Sequence, residues 1–195
     1  MKMLDLYSGL GGASEAFLQN GWEVLRLENN PLLEGVPETE ITDILEWDFE
    51  IMGDTPMSQI DLIWSSPPCR EFSNAYNAPK SKAKRAGEEF KPNFEHVIKT
   101  MEIIKWVNPR YFVIENVRGA IQDFKHLLGN PRQIVGSWAL WGNFPYMHIK
   151  NFHEVKEDAW SDNPLRANIR AKIPYPLSDS LRIAIESQRS LLEWV

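Results

Sequence analysis

Met3-Leu4-Asp5-Leu6-Tyr7-Ser8-Gly9-Leu10-Gly11-Gly12 joins an apolar run to a glycine-rich turn, and this junction sets the fold class. Met3 to Tyr7 reads as a buried strand, because the run is short, apolar and bounded by turn residues. In Ser8 to Gly12 the adjacent glycines let a ligand approach the backbone closely. Ala13 to Asn20 then reads as a helix with Ala16 and Phe17 inward and Gly21 as its stop. Trp22 to Leu27 is a second strand, ending in Glu28-Asn29-Asn30-Pro31.

The same alternation continues along the chain. Residues 34–59 read as irregular, with Pro37 and Pro56, and Ile60 to Trp64 as a strand. Residues 74–92 read as a polar loop. Asn93 is expected to cap a helix in which Phe94, Val97, Ile98, Met101 and Ile104 keep three-four spacing, stopped by Asn108-Pro109. Tyr111 to Ile114 is a buried strand, and Leu177 to Trp194 a C-terminal helix. Trp138-Ala139-Leu140-Trp141 reads either as a sheet edge strand or as an aromatic surface for stacking a base. Apolar strands alternating with helices predict an α/β fold with a doubly wound, mostly parallel sheet covered on both faces. In such sheets, sites form beyond the carboxyl ends of the strands. The glycine turn, Glu28, Cys69 and Glu115 all fall at those ends.

The chain has 195 residues, enough for one domain with a core. Its 43% hydrophobic and 25% charged content is that of a soluble globular protein. No run is long and apolar enough to span a membrane, and no signal pattern opens the sequence, so a cytoplasmic location is expected. One cysteine excludes an internal disulfide framework and a cysteine-based zinc site. His96, His126, His148 and His153 show no metal-ligand spacing. The net charge of −6 argues against a protein that coats nucleic acid, yet leaves room for an enzyme with a local basic patch.

Three residues carry chemistry. Glu28, at the end of the second strand, is placed to accept hydrogen bonds from ribose hydroxyls. The turn is not the dinucleotide fingerprint, since Ser14 stands where the third glycine would be. Cys69 lies in Ser65-Ser66-Pro67-Pro68-Cys69-Arg70-Glu71-Phe72-Ser73, on a rigid polar loop, whereas a structural cysteine belongs in an apolar run. Arg70 beside it is expected to favour the thiolate. Glu115, directly after four apolar strand residues, is expected to be desolvated and to hold a proton for donation.

Leu4 to Gly12, then Ser66-Pro67-Pro68-Cys69 with Phe72-Ser73, then Glu115-Asn116-Val117, in this order, resemble the cytosine-C5 DNA methyltransferases. The likeness covers roughly residues 1–120, with Ile173-Pro174-Tyr175-Pro176-Leu177 weakly similar to the family's last motif. It implies a Rossmann-like, S-adenosylmethionine-dependent methyltransferase fold with an antiparallel hairpin at one sheet edge. Cys69 would be the nucleophile that adds to C6 of cytosine, and Glu115 the acid that neutralises charge at N3. Tyr7, Ser8, Gly9, Gly11, Gly12, Glu28, Asp43, Ile44 and Pro67 would form the cofactor site. Ser66, Pro68 and Asn116, with Lys80, Lys82, Lys84 and Arg85 of a mobile loop, would meet the DNA. One cysteine argues against the two-cysteine scheme of certain RNA methyltransferases.

The sequence also departs from the family. Arg70 stands where glutamine is usual, and Arg170-Ala171-Lys172 where Gly-Asn-Ala is usual. The family's arginine motif has only Arg166 and Arg170 as candidates for catalytic arginines. The chain reads as a single catalytic domain, 1–195, with residues 118–172 as a reduced region in place of a target-recognition domain. A partner protein or second subunit is then expected to supply recognition. Rival readings are the same chemistry on RNA or a free cytosine nucleotide, a catalytically silent nucleic-acid-binding scaffold and, least favoured, a dinucleotide oxidoreductase.

Overall fold

A computed structural model describes residues 1–48, 59–149 and 162–188. One seven-stranded sheet organises it, in the order β3-β2-β1-β4-β5-β7-β6. The strands are β1 (Lys2–Leu6), β2 (Glu23–Glu28), β3 (Thr39–Ile41), β4 (Leu62–Ser65), β5 (Tyr111–Val117), β6 (Gln133–Val135) and β7 (Trp138–Asn143). β1 to β5 run parallel, while β7 is antiparallel to both β5 and β6. The expected doubly wound sheet and its edge hairpin are thus present. The strand order reverses between β1 and β4, and ligands bind at such switch points in open α/β sheets.

Period-two alternation sorts the strand residues onto two faces. Met3, Leu62, Trp64 and Val113 point to one side, where they pack with Phe17 and Ala13 near α1 (Glu15–Gln19) and with Leu177, Leu181 and Ile185 of α6 (Tyr175–Glu186). Leu4, Leu6, Ile63 and Leu27 point to the other, against Ile103 and Val107 of α3 (Glu95–Val107). Further along that face Phe72, Val97, Ile114, Phe124 and Trp141 form a third cluster, with Phe124 on α4 (Ile121–Leu128). Burying a side chain such as Phe17 or Phe124 fully stabilises the fold by about 1.5–3 kcal/mol each.

Several elements differ from the sequence expectation. The segment read as irregular contains β3, a short parallel edge strand beside β2. The polar loop contains α2 (Pro79–Ala86), with Pro79 at its first position and Gly87 as its left-handed C-cap. α2 buries no residue, so it carries no apolar stripe for the sequence to reveal. Phe94 rather than Asn93 is the N-cap of α3, although the Asn93 Oδ1 still accepts the Glu95 N–H at 2.9 Å. The inward stripe of α3 is Val97, Thr100, Ile103 and Val107, which leaves Ile98 45% exposed. α5 (Arg166–Ala171) precedes Ile173, and α6 begins at Tyr175 and ends at Glu186. The expected extension of this helix to Trp194 lies mostly outside the described residues, as do Pro56 and His153.

Glu115-Asn116-Val117 lies within β5 rather than after it. Glu115 pairs with Leu140 and Asn116 with Ala139, because the antiparallel β7 extends the ladder beyond the parallel part of the sheet. β7 is therefore not an edge strand, and Trp138 and Trp141 are buried in the core rather than presented to a base. Gly142 is required at its position, since its φ is 131° and a Cβ there would lie 2.2 Å from the Phe112 carbonyl oxygen.

Candidate active site

The carboxyl ends of β1, β2, β4 and β5 converge at the switch point. Tyr7 follows β1 with φ 57°, an unusual conformation for a side-chain-bearing residue. Its ring meets His96 edge-on at 5.4 Å, and its hydroxyl donates to the His96 carbonyl at 3.3 Å. The glycine turn is then gripped by β2. The Gly9 N–H donates to Glu28 Oε2 at 2.8 Å, while the N–H groups of Asn29 and Asn30 donate to Oε1 at 3.0 Å each. Glu28 is thus buried and pre-oriented, with acceptor capacity left on Oε2 for a ligand hydroxyl.

The three glycines serve different purposes. A Cβ on Gly12 would lie 2.3 Å from the Ile173 carbonyl oxygen, and one on Gly11 would lie 2.6 Å from the Arg26 guanidinium. Both allow close packing behind the turn. A Cβ on Gly9 would meet only the Asn168 side-chain nitrogen, at 3.7 Å, so Gly9 faces the open side. The Ser8 hydroxyl is buried with no hydrogen-bond partner. An orphaned hydroxyl beside an open glycine is a donor set left for a polar ligand.

Asn168 is a residue that sequence reasoning missed. It sits on α5, and its Oδ1 accepts from Asn30 Nδ2 at 3.5 Å. It brings an amide to the glycine turn two to three residues ahead of Arg170-Ala171-Lys172, where the family resemblance looked for one. Its neighbours Arg166 and Arg170 line a surface depression with Asp162 and Asn163, and Arg170 is exposed. Asp43 is exposed and its carboxylate accepts the Leu45 N–H at 3.0 Å, whereas Ile44 packs into the core with Leu4 and Leu6.

Cys69 and Glu115 come together because β4 and β5 are neighbours in parallel register. Asn116 Nδ2 donates to the Pro67 carbonyl at 3.0 Å and ties the Cys69 loop to β5. Behind the loop, Gly119 packs against the Phe72 carbonyl, 2.4 Å from where a Cβ would stand. Glu115 is buried, and desolvation pushes its carboxyl up to about 7 despite the hydrogen bond with Ser66. Burial also pushes the Cys69 thiol up to about 11, with the nearby Glu115 charge adding to the shift. The expected lowering by Arg70 is not found: Arg70 is exposed, and the acid is the charge that the thiol feels. The expectation for Glu115, a desolvated acid holding a proton, agrees with its raised value.

The basic loop is more differentiated than its sequence suggests. Lys80 is committed to Asp123 at 2.5 Å and to the Gly119 carbonyl at 3.3 Å, which pins α2 to α4. The Arg85 guanidinium lies over the exposed Tyr76 ring, 3.9 Å from its centroid. Lys82 and Lys84 are exposed.

A family model described as C-5 cytosine-specific DNA methylase matches residues 1–131, the stretch holding the glycine turn, Cys69 and Glu115. The chain belongs to this family. A frog virus 3 protein named "Probable DNA (cytosine-5)-methyltransferase" is 28% identical over 123 residues, 60% of this chain and 53% of the relative. The "Type II methyltransferase M.HgiGI" of Herpetosiphon aurantiacus is 30% identical over 127 residues, 62% of this chain and 93% of the relative. The mouse "DNA (cytosine-5)-methyltransferase 1" is 29% identical over 147 residues, which cover 62% of this chain and 8% of the relative. The matched part of this chain thus spans about half of the frog virus protein and a small fraction of the mouse protein. Among the described residues no helix is long and apolar enough to cross a membrane, and no group of three or more acidic, histidine or cysteine side chains could hold a metal ion.

Proposed function

We propose that this chain transfers a methyl group to C5 of cytosine in DNA, with Cys69 as the covalent nucleophile. The observation that carries the reading is the pairing of a thiol and a buried acid at the ends of neighbouring strands, within the region that matches the family. S-adenosylmethionine, when bound, supplies an electrophilic methyl group. The orphaned Ser8 hydroxyl, the open Gly9 and the pre-oriented Glu28 fit such a nucleoside-bearing group, with Glu28 taking a ribose hydroxyl. Asn168 supplies a further amide beside the turn. Gly11 and Gly12 shape this site from behind rather than touch the ligand.

The two pKa shifts define the work of the chain's own residues. With the thiol near 11, Cys69 is protonated in the resting site and must lose its proton as Sγ adds to C6. Glu115, near 7, holds a proton that it can deliver to N3 as charge builds there, and takes up the Sγ proton in exchange. One proton thus moves from Sγ to N3 while the Sγ–C6 bond forms and the C5–C6 double bond opens towards C5. The activated C5 takes the methyl group. Loss of the C5 proton to a base, return of the N3 proton through Glu115 to sulfur and breakage of the Sγ–C6 bond then restore the ring and release Cys69 as its thiol. A base inside a duplex must leave the stack to reach such a site. Pro68 and Ser66 flank the thiol, and Lys82, Lys84 and Arg85 offer charge for the phosphates. Residues 133–143 form the sheet's antiparallel hairpin, and we assign target recognition to a partner or second subunit.

The test is label transfer from S-adenosylmethionine to duplex DNA, single-stranded DNA, RNA and dCMP in parallel. Label at C5 of cytosine in DNA is expected. A covalent adduct with 5-fluorocytosine DNA, whose fluorine cannot leave as the proton does, should form with the wild type and be absent from Cys69→Ser. Label confined to RNA or dCMP would reassign the substrate, and label with no adduct would remove the covalent step.

A further inference from the structure

Arg26 takes no part in the chemistry above, yet its charge is almost wholly buried, at 3% exposure, in the middle of β2. Burying a guanidinium is costly unless its donors are met. Here they are: Nε donates to Ser14 Oγ at 2.8 Å, Nη2 to the Gly11 carbonyl at 3.2 Å and Nη1 to the Pro37 carbonyl at 2.6 Å. Ser14 in turn donates to Asp5 Oδ2 at 2.5 Å, and Asp5 is the register partner of Arg26 on β1. The hydrogen bonds therefore run in one direction, from guanidinium through hydroxyl to carboxylate. The absence of a Cβ at Gly11 is what lets the guanidinium reach the turn.

Arg26 and Glu28 are two residues apart on one strand and so share a face. Glu28 holds the amide of Gly9 and Arg26 holds the carbonyl of Gly11, so one strand clamps both ends of the same turn. We propose that Arg26, with Ser14 and Asp5 behind it, is a positioning residue that sets the glycine turn for the cofactor; this rests on the cofactor reading above. A turn that served packing alone would need neither a buried cation nor a second grip opposite Glu28.

The charges around this clamp are few. Asp5 faces Arg26 and Glu28, and its fully buried Oδ1 has no partner. Arg26 faces Asp5, Glu15 and Glu38, and Glu15 is itself paired with Lys172 at 2.9 Å. Burial raises the Asp5 carboxyl to about 7, against the opposing pull of the Ser14 hydrogen bond and Arg26. As Asp5 loses its proton the chain of bonds tightens, so cofactor affinity should rise with pH through the neutral range.

The experiment is titration calorimetry of S-adenosylmethionine on the full chain between pH 6 and 8, together with amide hydrogen exchange of the turn without ligand. Arg26→Met should weaken binding about tenfold or more, the scale of one charged hydrogen bond. Arg26→Lys, which keeps the cation but cannot span three acceptors, should fall between Met and the wild type. Both should exchange faster at Gly9 and Gly11, and Asp5→Asn should flatten the pH profile. Should Arg26→Met fail to fold, Arg26→Lys and Asp5→Asn carry the test. Wild-type exchange, affinity and pH profile in Arg26→Lys and Asp5→Asn would overturn the assignment. If the wild type binds no S-adenosylmethionine, the cofactor reading falls, and unchanged exchange at the turn in Arg26→Lys would overturn the clamp separately.

Discussion

Asn116 donates its side-chain amide to the main-chain carbonyl of Pro67 at 3.0 Å, which fastens the loop of the nucleophile to the strand of the acid. Asn116 is buried, and its Oδ1 also accepts the Val117 N–H at 3.0 Å. Asn116→Ala removes both bonds and leaves the Pro67 carbonyl unpaired. The expected cost is about 1–3 kcal/mol of stability, measured by denaturant unfolding. Single-turnover methylation should fall while S-adenosylmethionine affinity holds, since the glycine turn is untouched. Loss of both in equal measure would mean that the bond supports the whole fold rather than the Cys69 loop.

Cys69→Ser should abolish methyl transfer and leave cofactor affinity near that of the wild type. Sγ is partly buried, and the bonds that hold the glycine turn come from Glu28 and Arg26. Calorimetry and label transfer on the same preparation decide it. Near-normal turnover in the serine variant would remove the thiol from the reaction.

Glu115 and Asp5 make stability depend on pH. Each carboxyl is raised to about 7 from an ordinary value of 4.5 or 3.8, so between those limits the folded chain binds more protons than the unfolded one. Stability is therefore fully present below the ordinary values and is lost as pH rises towards 7. The loss across that window is about 3 kcal/mol for Glu115 and about 4 kcal/mol for Asp5. Glu115→Gln should be more stable than the wild type at pH 8, with the advantage gone near pH 4. Unfolding curves at the two pH values test this, and an equal difference at both would mean that Glu115 is not the titrating group.

The parts legible in the sequence are those whose residues answer to one local rule. β1, β2, β4 and β5 are buried on both faces and so read as short apolar runs, and glycine and proline mark their ends. Thr39-Glu40-Ile41 shows no such run because it lies at the sheet edge, where one residue is partly buried and two are exposed. α2 is invisible to periodicity because nothing in it is buried, and only Pro79 and Gly87 mark its ends. At the site, Glu28, Cys69 and Glu115 were legible because each interrupts or follows a strand. Asn168 was not, because its place beside Gly9 depends on how α5 docks across 138 residues of sequence onto Asn30. Arg26 was hidden for a related reason. A single charge inside a strand reads as a solvent-facing position until the neighbouring strand supplies Asp5 and the turn supplies Ser14.

Glu28→Ala should weaken S-adenosylmethionine binding by about 1.5–3 kcal/mol, the value of a charged hydrogen bond. The same change frees the Gly9, Asn29 and Asn30 amides, so part of the loss reflects a turn that no longer has its anchor. Glu28→Gln separates the two effects, because its one carbonyl oxygen can hold either the Gly9 amide or the Asn29–Asn30 pair. An unchanged affinity in both variants would return Glu28 to a purely structural role.

The basic residues of α2 should divide into two groups under salt. Lys82 and Lys84 are exposed, and Arg85 is exposed over the Tyr76 ring, so all three can meet phosphates. Lys80 already has its charge countered by Asp123 and a second donor on the Gly119 carbonyl, so it has less to offer a phosphate. Each side chain that contacts a phosphate adds about 0.9 to the slope of log affinity against log salt on a duplex. Replacing Lys82, Lys84 and Arg85 by alanine should flatten that slope and weaken binding to all sequences alike, with S-adenosylmethionine affinity unchanged. Lys80→Ala should leave the slope as it is. It should instead lower methyl transfer, because Gly119 packs against the Phe72 carbonyl and Phe124 of α4 against the Phe72 ring in the Cys69 loop, and Lys80 ties them to α2. Asp123→Asn, which leaves Lys80 without its counter-charge, should show the same loss of rate. Fluorescence anisotropy of a labelled duplex over a range of salt gives the slopes, and a slope lowered in Lys80→Ala to the same degree as in a single Lys82 or Lys84 variant would place Lys80 on the DNA instead.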